Sequence, residues 1–193
     1  MKKTTNDIFE VEIGTQIWCT RNLDVSNYRN GDAIPEIQNA EEWKYTITGA
    51  WCHYENKTAN GVVYGKLYNW YAITDARGLA PLGYHIPNYI ECQVLLDFLE
   101  LGTKLLTEPA LKIKSAKGWK ENGNNSTLFS ALPGGYRDDT SIFRDKGHNA
   151  YFWSYDETYP SKFYLMGSVL GSFFNDLNYN AKANAYSVRC IKD

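Results

Sequence analysis

The chain has 193 residues, 44% of them hydrophobic and 22% charged, with a formal net charge of -2. That balance lies far from the low-hydrophobicity, high-charge corner of disordered chains and predicts one packed domain, and the absence of a basic excess argues against nucleic acid as a partner. The 15 Tyr, 6 Trp and 8 Phe suit a Tyr-rich recognition surface and equally a β-leaning fold with an aromatic core.

Residues 1–8 read as a tail. Lys2 and Lys3 are followed by Thr4, Thr5, Asn6 and Asp7, where a signal peptide needs an apolar run of roughly 7 to 15 residues, so export by that route is not expected. From Phe9 to Trp18 apolar and polar residues alternate around Gly14-Thr15, the pattern of a hairpin. Residues 27–37 are rich in Asn, Gly, Asp and Pro and predict a surface loop. Asn39 is placed to cap a short helix from Ala40, with Glu41 and Glu42 in its first turn. Between Gly65 and Ala76, Leu67, Trp70, Tyr71 and Ile73 or Thr74 share one face of a predicted helix, with Gly78 as its terminator. A clearer helix follows Asn88, which forms a capping pair with Glu91; Ile90, Val94, Leu95, Phe98 and Leu99 supply its apolar stripe and Gly102 closes it. Beyond Leu111 the chain is loop-rich, and from Ser130 short strand-like runs alternate with turns. Strands, two main helices and a long β-rich half, without the alternation that builds a parallel sheet, predict an α+β fold. Trp153, Leu132, Tyr136, Leu67, Trp70, Val94 and Phe98 are the expected buried frame. No window approaches the roughly 18 apolar residues of a membrane span.

The chain's chemistry-bearing residues are sparse. Cys19, Cys52, Cys92 and Cys190 contain no Cys-x-x-Cys pair, and His53, His85 and His148 stand in no metalloprotease-like arrangement. The glycines of Ala131-Leu132-Pro133-Gly134-Gly135 and Gly123-Asn124-Asn125 lack phosphate-loop spacing and read as turns. No cofactor or metal is implied.

Several segments together resemble the Fibrobacter succinogenes major paralogous domain: Ile13-Gly14-Thr15-Gln16-Ile17-Trp18 with Asn22-Leu23, then Tyr64-Gly65-Lys66-Leu67-Tyr68-Asn69-Trp70-Tyr71-Ala72, Gly83-Tyr84-His85-Ile86-Pro87, Ser130 through Arg137, Phe152-Trp153-Ser154 and Ser187-Val188-Arg189-Cys190. The resemblance covers about residues 9–193 as a single domain. That family is similar to the formylglycine-generating-enzyme branch of the C-type-lectin fold, which implies an α+β domain with two main helices, an irregular antiparallel sheet and a C-terminal ligand surface. The enzyme's closely spaced reactive cysteines have no counterpart, since no cysteine lies between Cys92 and Cys190; that activity is not expected. Phe174-Asn175-Asp176 is only a partial echo of a lectin calcium strand. Family members carry a cysteine where this chain has Ala80, which leaves Cys190 without its implied partner and a Cys92–Cys190 bridge as an open alternative.

Between these motifs the C-terminal quarter mixes large aromatics with small polar residues. Tyr151, Tyr155, Asp156, Tyr159, Tyr164, Met166, Ser168, Phe173, Asn175, Asp176 and Asn178 form a paratope-like set. The segment resembles the variable region of diversity-generating-retroelement targets, in which Asn149, Asn175, Asn178, Asn180 and Asn184 would be template-like positions. The alternative is an ordinary sheet of a non-variable paralogue. The expected function is non-enzymatic binding of a protein or glycan on a cell or particle, at a bacterial or phage surface; a degenerate formylglycine-generating-type enzyme and a structural appendage domain are the alternatives.

Overall fold

The N-terminal alternation folds into β1 (Glu10–Ile13) and β2 (Gln16–Cys19), antiparallel with Ile13 opposite Gln16. Gly14 takes the left-handed φ of 64° that so tight a turn requires. The computed structural model describes residues 9–100, 107–155, 161–166, 169–173 and 182–193.

Asn39 caps α1 (Ala40–Tyr45) as expected, its Oδ1 accepting the Glu42 N–H at 3.0 Å. The helix carries Trp43 into complete burial. After β3 (Trp51–Cys52) comes α2 (Thr58–Tyr64), a helix with no clear apolar period in the sequence. The helix expected over Gly65–Ala76 is corrected: the chain forms β4 (Leu67–Asn69) and then a single turn, α3 (Trp70–Ile73). Leu67 and Tyr68 pair with Cys52 and Trp51, and all three β4 residues are buried. Strand pairing on a buried sheet here overrides a local helical spacing. Asn69 makes the junction, its Oδ1 accepting from the Ala50 and Ala72 N–H groups, both at 3.0 Å, while its Nδ2 donates to the Thr48 carbonyl.

β5 (Tyr84–His85) leads to α4 (Tyr89–Glu100), the long helix among the described residues. Its capping pair is formed in both directions: Asn88 Oδ1 accepts the Glu91 N–H at 3.0 Å and Glu91 Oε2 accepts the Asn88 N–H at 2.8 Å. The expected stripe is corrected in part. Cys92, Leu95, Leu96 and Leu99 face the core, whereas Ile90, Val94 and Phe98 are exposed, at 70%, 39% and 44%. The inward set keeps the three- and four-residue spacing of one helix face, so the choice between two overlapping apolar stripes fell to the core they meet. Gly102 lies outside the described residues.

α5 (Thr107–Ile113) precedes β6 (Tyr136–Arg137), β7 (Phe143–Arg144), β8 (Asn149–Ser154), β9 (Ser161–Met166), β10 (Val169–Phe173), β11 (Ala185–Tyr186) and β12 (Ile191–Lys192). The strands pair antiparallel in three sheets, β1-β2-β12-β5, β10-β9-β8 and β3-β4-β11-β6-β7. The fold is therefore α+β, with one long helix among the described residues where two main helices were expected. Isolated parallel bridges, Gly135 to Ala150 and Phe152 to Ser187, tie β8 to the five-stranded sheet.

Three apolar clusters form the core. One gathers Tyr68, Trp70, Tyr151, Trp153, Tyr186 and Cys190; a second packs α4 and α5 against Trp18, Phe129, Phe152 and Ile191; the third surrounds Trp43. Of the expected frame, Leu67, Trp70 and Trp153 are buried, Leu132 and Tyr136 are half-buried, and Val94 and Phe98 are corrected to the surface. All four cysteines are buried and free. The Cys92–Cys190 alternative is not formed, because the two thiols belong to different clusters.

Candidate functional site

The bridges of β8 to Gly135 and Ser187 bring β6, β8 and β11 together, and the aromatic residues of the three strands meet there. The Tyr136 and Tyr151 ring centroids lie 4.8 Å apart and edge-on at 66°. Tyr186 stands 5.6 Å from Tyr136, 5.7 Å from Tyr151 and 4.6 Å from Trp153. Edge-to-face and tilted ring pairs of this kind add stabilisation beyond the area that they bury. Trp153 anchors the floor by donating its indole N–H to the Tyr68 carbonyl at 2.6 Å.

A half-buried polar rim borders this buried aromatic cluster. Tyr151 donates its hydroxyl to Asp145 Oδ2 at 2.7 Å, and Asn149 Nδ2 donates to the same carboxylate oxygen at 3.1 Å. Lys162 Nζ and Asn184 Nδ2 both donate to the Tyr186 hydroxyl oxygen, at 2.9 and 2.8 Å. The Lys162 ammonium also lies 4.8 Å from the Tyr186 ring centroid, within cation–π range. Burial, and then the Asp145 carboxylate, push the Tyr151 phenol well above its ordinary pKa, and burial does the same for Tyr136; both are neutral at physiological pH. Tyr136, Asp145, Asn149, Lys162 and Asn184 are half-buried, so aromatic rings are edged by ammonium, amide and carboxylate groups held in fixed positions.

Of the residues expected to form the binding face, five lie among the described residues. Tyr151 is corrected from exposed to buried, at 8%, because its ring is enclosed by Tyr136 and Tyr186. Tyr155 is half-buried against the first cluster, and its N–H donates to the Pro87 carbonyl at 2.7 Å. For Tyr164, Met166 and Phe173 the strand positions are described: Tyr164 is opposite Tyr151 on one side and Gly171 on the other, Met166 is opposite Asn149 and Val169, and Phe173 is opposite Lys162. Asp156, Tyr159, Ser168, Asn175, Asp176 and Asn178 lie outside the described residues. Sequence reading missed Tyr186, Lys162 and Asp145 as members of the cluster and its rim. The signal for Tyr186 was its position directly before the Ser187-Val188-Arg189-Cys190 motif.

The two arginines of the motifs turn out to be internal ties. Arg137 donates to the Ile37 and Gln38 carbonyls at 2.7 and 3.1 Å and lies 4.5 Å over the Trp43 ring. Arg189 is fully buried over Phe129, where desolvation pulls the pKa of its guanidinium down. Burial raises every thiol pKa, Cys19 to about 11, Cys52 and Cys92 to about 12 and Cys190 further; thiolate nucleophiles form poorly under such conditions. Among the described residues no group of three His, Cys, Asp or Glu side chains is arranged to hold a metal ion. His85 is held between carboxylates, its Nδ1 at 2.8 Å from Asp193 and its Nε2 at 2.8 Å from Glu91. No described helix is long and apolar enough to cross a membrane.

Compared with known families, the chain matches over residues 11–192 the one described as the Fibrobacter succinogenes major domain. Comparison with curated proteins and with solved structures yielded no match.

Proposed function

For a chain that belongs to the Fibrobacter succinogenes major domain family, we propose a non-enzymatic recognition role in which the C-terminal face binds a protein or a glycan on a cell or particle surface. The observation that carries this reading is the half-buried polar edge of Tyr136, Lys162, Asn149, Asn184 and Asp145, fixed over the buried rings of Tyr151, Tyr186 and Trp153. Donors and acceptors held in place by a rigid aromatic base spare a binding site part of the entropic cost of ordering its contacts. The thiols held protonated by burial support a binding role over a thiolate-based enzyme. The finer assignment is a C-type-lectin-like domain displayed at a bacterial or phage surface, the positions between its C-terminal motifs diversified by a retroelement.

The test is a printed array of glycans and surface proteins probed with labelled chain. Binding that disappears in Lys162→Ala and Asn184→Ala variants of unchanged melting temperature supports the reading. Bound spots indifferent to both substitutions would sink it. Diversification predicts a neighbouring reverse transcriptase with a template copy of the C-terminal segment; a genome lacking both would remove that part alone.

A further inference from the structure

Strand register, rather than sequence spacing, brings two of the cysteines together. Ile191 of β12 is opposite Trp18 of β2, so in an antiparallel ladder the preceding residue, Cys190, is opposite Cys19. The backbone confirms the register, the Cys19 N–H donating to the Cys190 carbonyl at 2.9 Å. Opposed residues of a ladder point to the same face, and the clusters show it: Trp18 and Ile191 enter the core beneath α4, whereas Cys19 and Cys190 both enter the cluster of Tyr68 and Trp153. Facing residues of an antiparallel pair have Cα atoms about 4.5 to 5.5 Å apart, within the range that a disulfide spans. Cys52 and Cys92 belong to the other two clusters.

We propose that Cys19 and Cys190 are a disulfide-forming pair that staples the N-terminal hairpin to the C-terminal strand when the chain meets an oxidising thiol pool such as glutathione disulfide. Cys19, at 8% exposure against 2% for Cys190, is the point of entry. Its thiolate attacks one sulfur of glutathione disulfide and expels a glutathione thiolate, leaving a mixed disulfide on Cys19. The Cys190 thiolate then attacks the Cys19 sulfur, forming the internal bond and expelling the second glutathione thiolate. The two protons lost by the cysteines end on the two glutathione thiols; the protein is oxidised by two electrons and glutathione disulfide is reduced. Burial keeps both thiols protonated at neutral pH, so the exchange is slow and accelerates with rising pH. The closed loop embraces nearly the whole chain, the case in which a cross-link restricts the unfolded ensemble most.

The experiment incubates the full chain with excess glutathione disulfide in mildly alkaline buffer, alkylates the remaining thiols and maps the tryptic peptides. The expected product has lost two hydrogens, links the Cys19 peptide to the Cys190 peptide and carries alkyl groups on Cys52 and Cys92. Its melting temperature rises by on the order of 10 °C and returns to the starting value in dithiothreitol. Cys19→Ser and Cys19→Ala abolish both the link and the rise, and Cys92→Ser keeps both. A Cys92–Cys190 link, a lasting glutathione adduct on Cys19 with Cys190 alkylated, or four alkylated cysteines would each overturn the proposal.

Discussion

The guanidinium of Arg189 donates from Nε and Nη2 to a single acceptor, Oδ1 of Asn22, at 3.1 and 2.7 Å. Its other hydrogen bonds go to backbone carbonyls, among them Cys19 at 3.0 Å, so the charge is met by neutral oxygens alone. Removing the Asn22 amide would leave part of a buried cation unsatisfied, at a cost of about 2 to 4 kcal/mol. Urea unfolding of Asn22→Ala should show that loss as a lower midpoint with the slope unchanged; an unshifted midpoint would mean that water replaces the amide.

Burial, not residue type, should decide which C-terminal aromatics tolerate change. Trp153→Ala is expected to cost roughly 3 to 5 kcal/mol, and Tyr151→Ser a comparable amount because it also takes the phenol donor away from the Asp145 carboxylate. Val94→Ser, on the outward side of α4, should stay within about 0.5 kcal/mol. Melting curves of the three variants test the division, and a neutral Tyr151→Ser would restore that residue to a free surface.

Gly135 has φ of 63°, and a Cβ built there would meet the Arg144 carbonyl oxygen at 2.1 Å. Both the left-handed backbone and the contact oppose any side chain, and the neighbour is backbone that cannot rotate away. Gly135→Ala should therefore cost about 3 kcal/mol or more, read as a fall in the denaturant midpoint, whereas Gly147→Ala, with nothing near its Cβ, should show only the smaller strain of its positive φ.

His85 links pH to stability. Desolvation is the largest single influence and lowers its pKa, but Asp193 and Glu91 together outweigh it and leave the folded-state value raised. A raised folded pKa means that the native state holds the proton more tightly than the unfolded chain. The resulting stabilisation is complete below the unfolded value of about 6.5 and is lost as pH rises through the higher folded value. Melting temperature measured from mildly acidic to mildly alkaline pH should decline through that window in the native chain and decline less in His85→Gln. Parallel profiles would show that the imidazolium contributes nothing.

What could be read from the residues alone was local. The Gly14-Thr15 turn, the Asn39 cap and the Asn88–Glu91 capping pair each depend on groups a few positions apart, and each formed as the sequence implied. The motifs around Arg137 and Arg189 were visible too, although their service as internal ties was not, since their acceptors lie up to 170 positions away, as Cys19 does from Arg189. Tertiary structure decided the remainder. Leu67 to Asn69 became strand because β3 and β11 offered pairing edges on both sides; α4 turned Leu95 and Leu96 inward and Val94 and Phe98 outward according to the cluster waiting beneath it; and Tyr151, paratope-like by composition, was enclosed by Tyr136 and Tyr186. The same long-range register set Cys19 opposite Cys190. Turn and cap energies are settled within one or two turns of chain, whereas the face on which a side chain is buried depends on partners that only the folded sheet brings near.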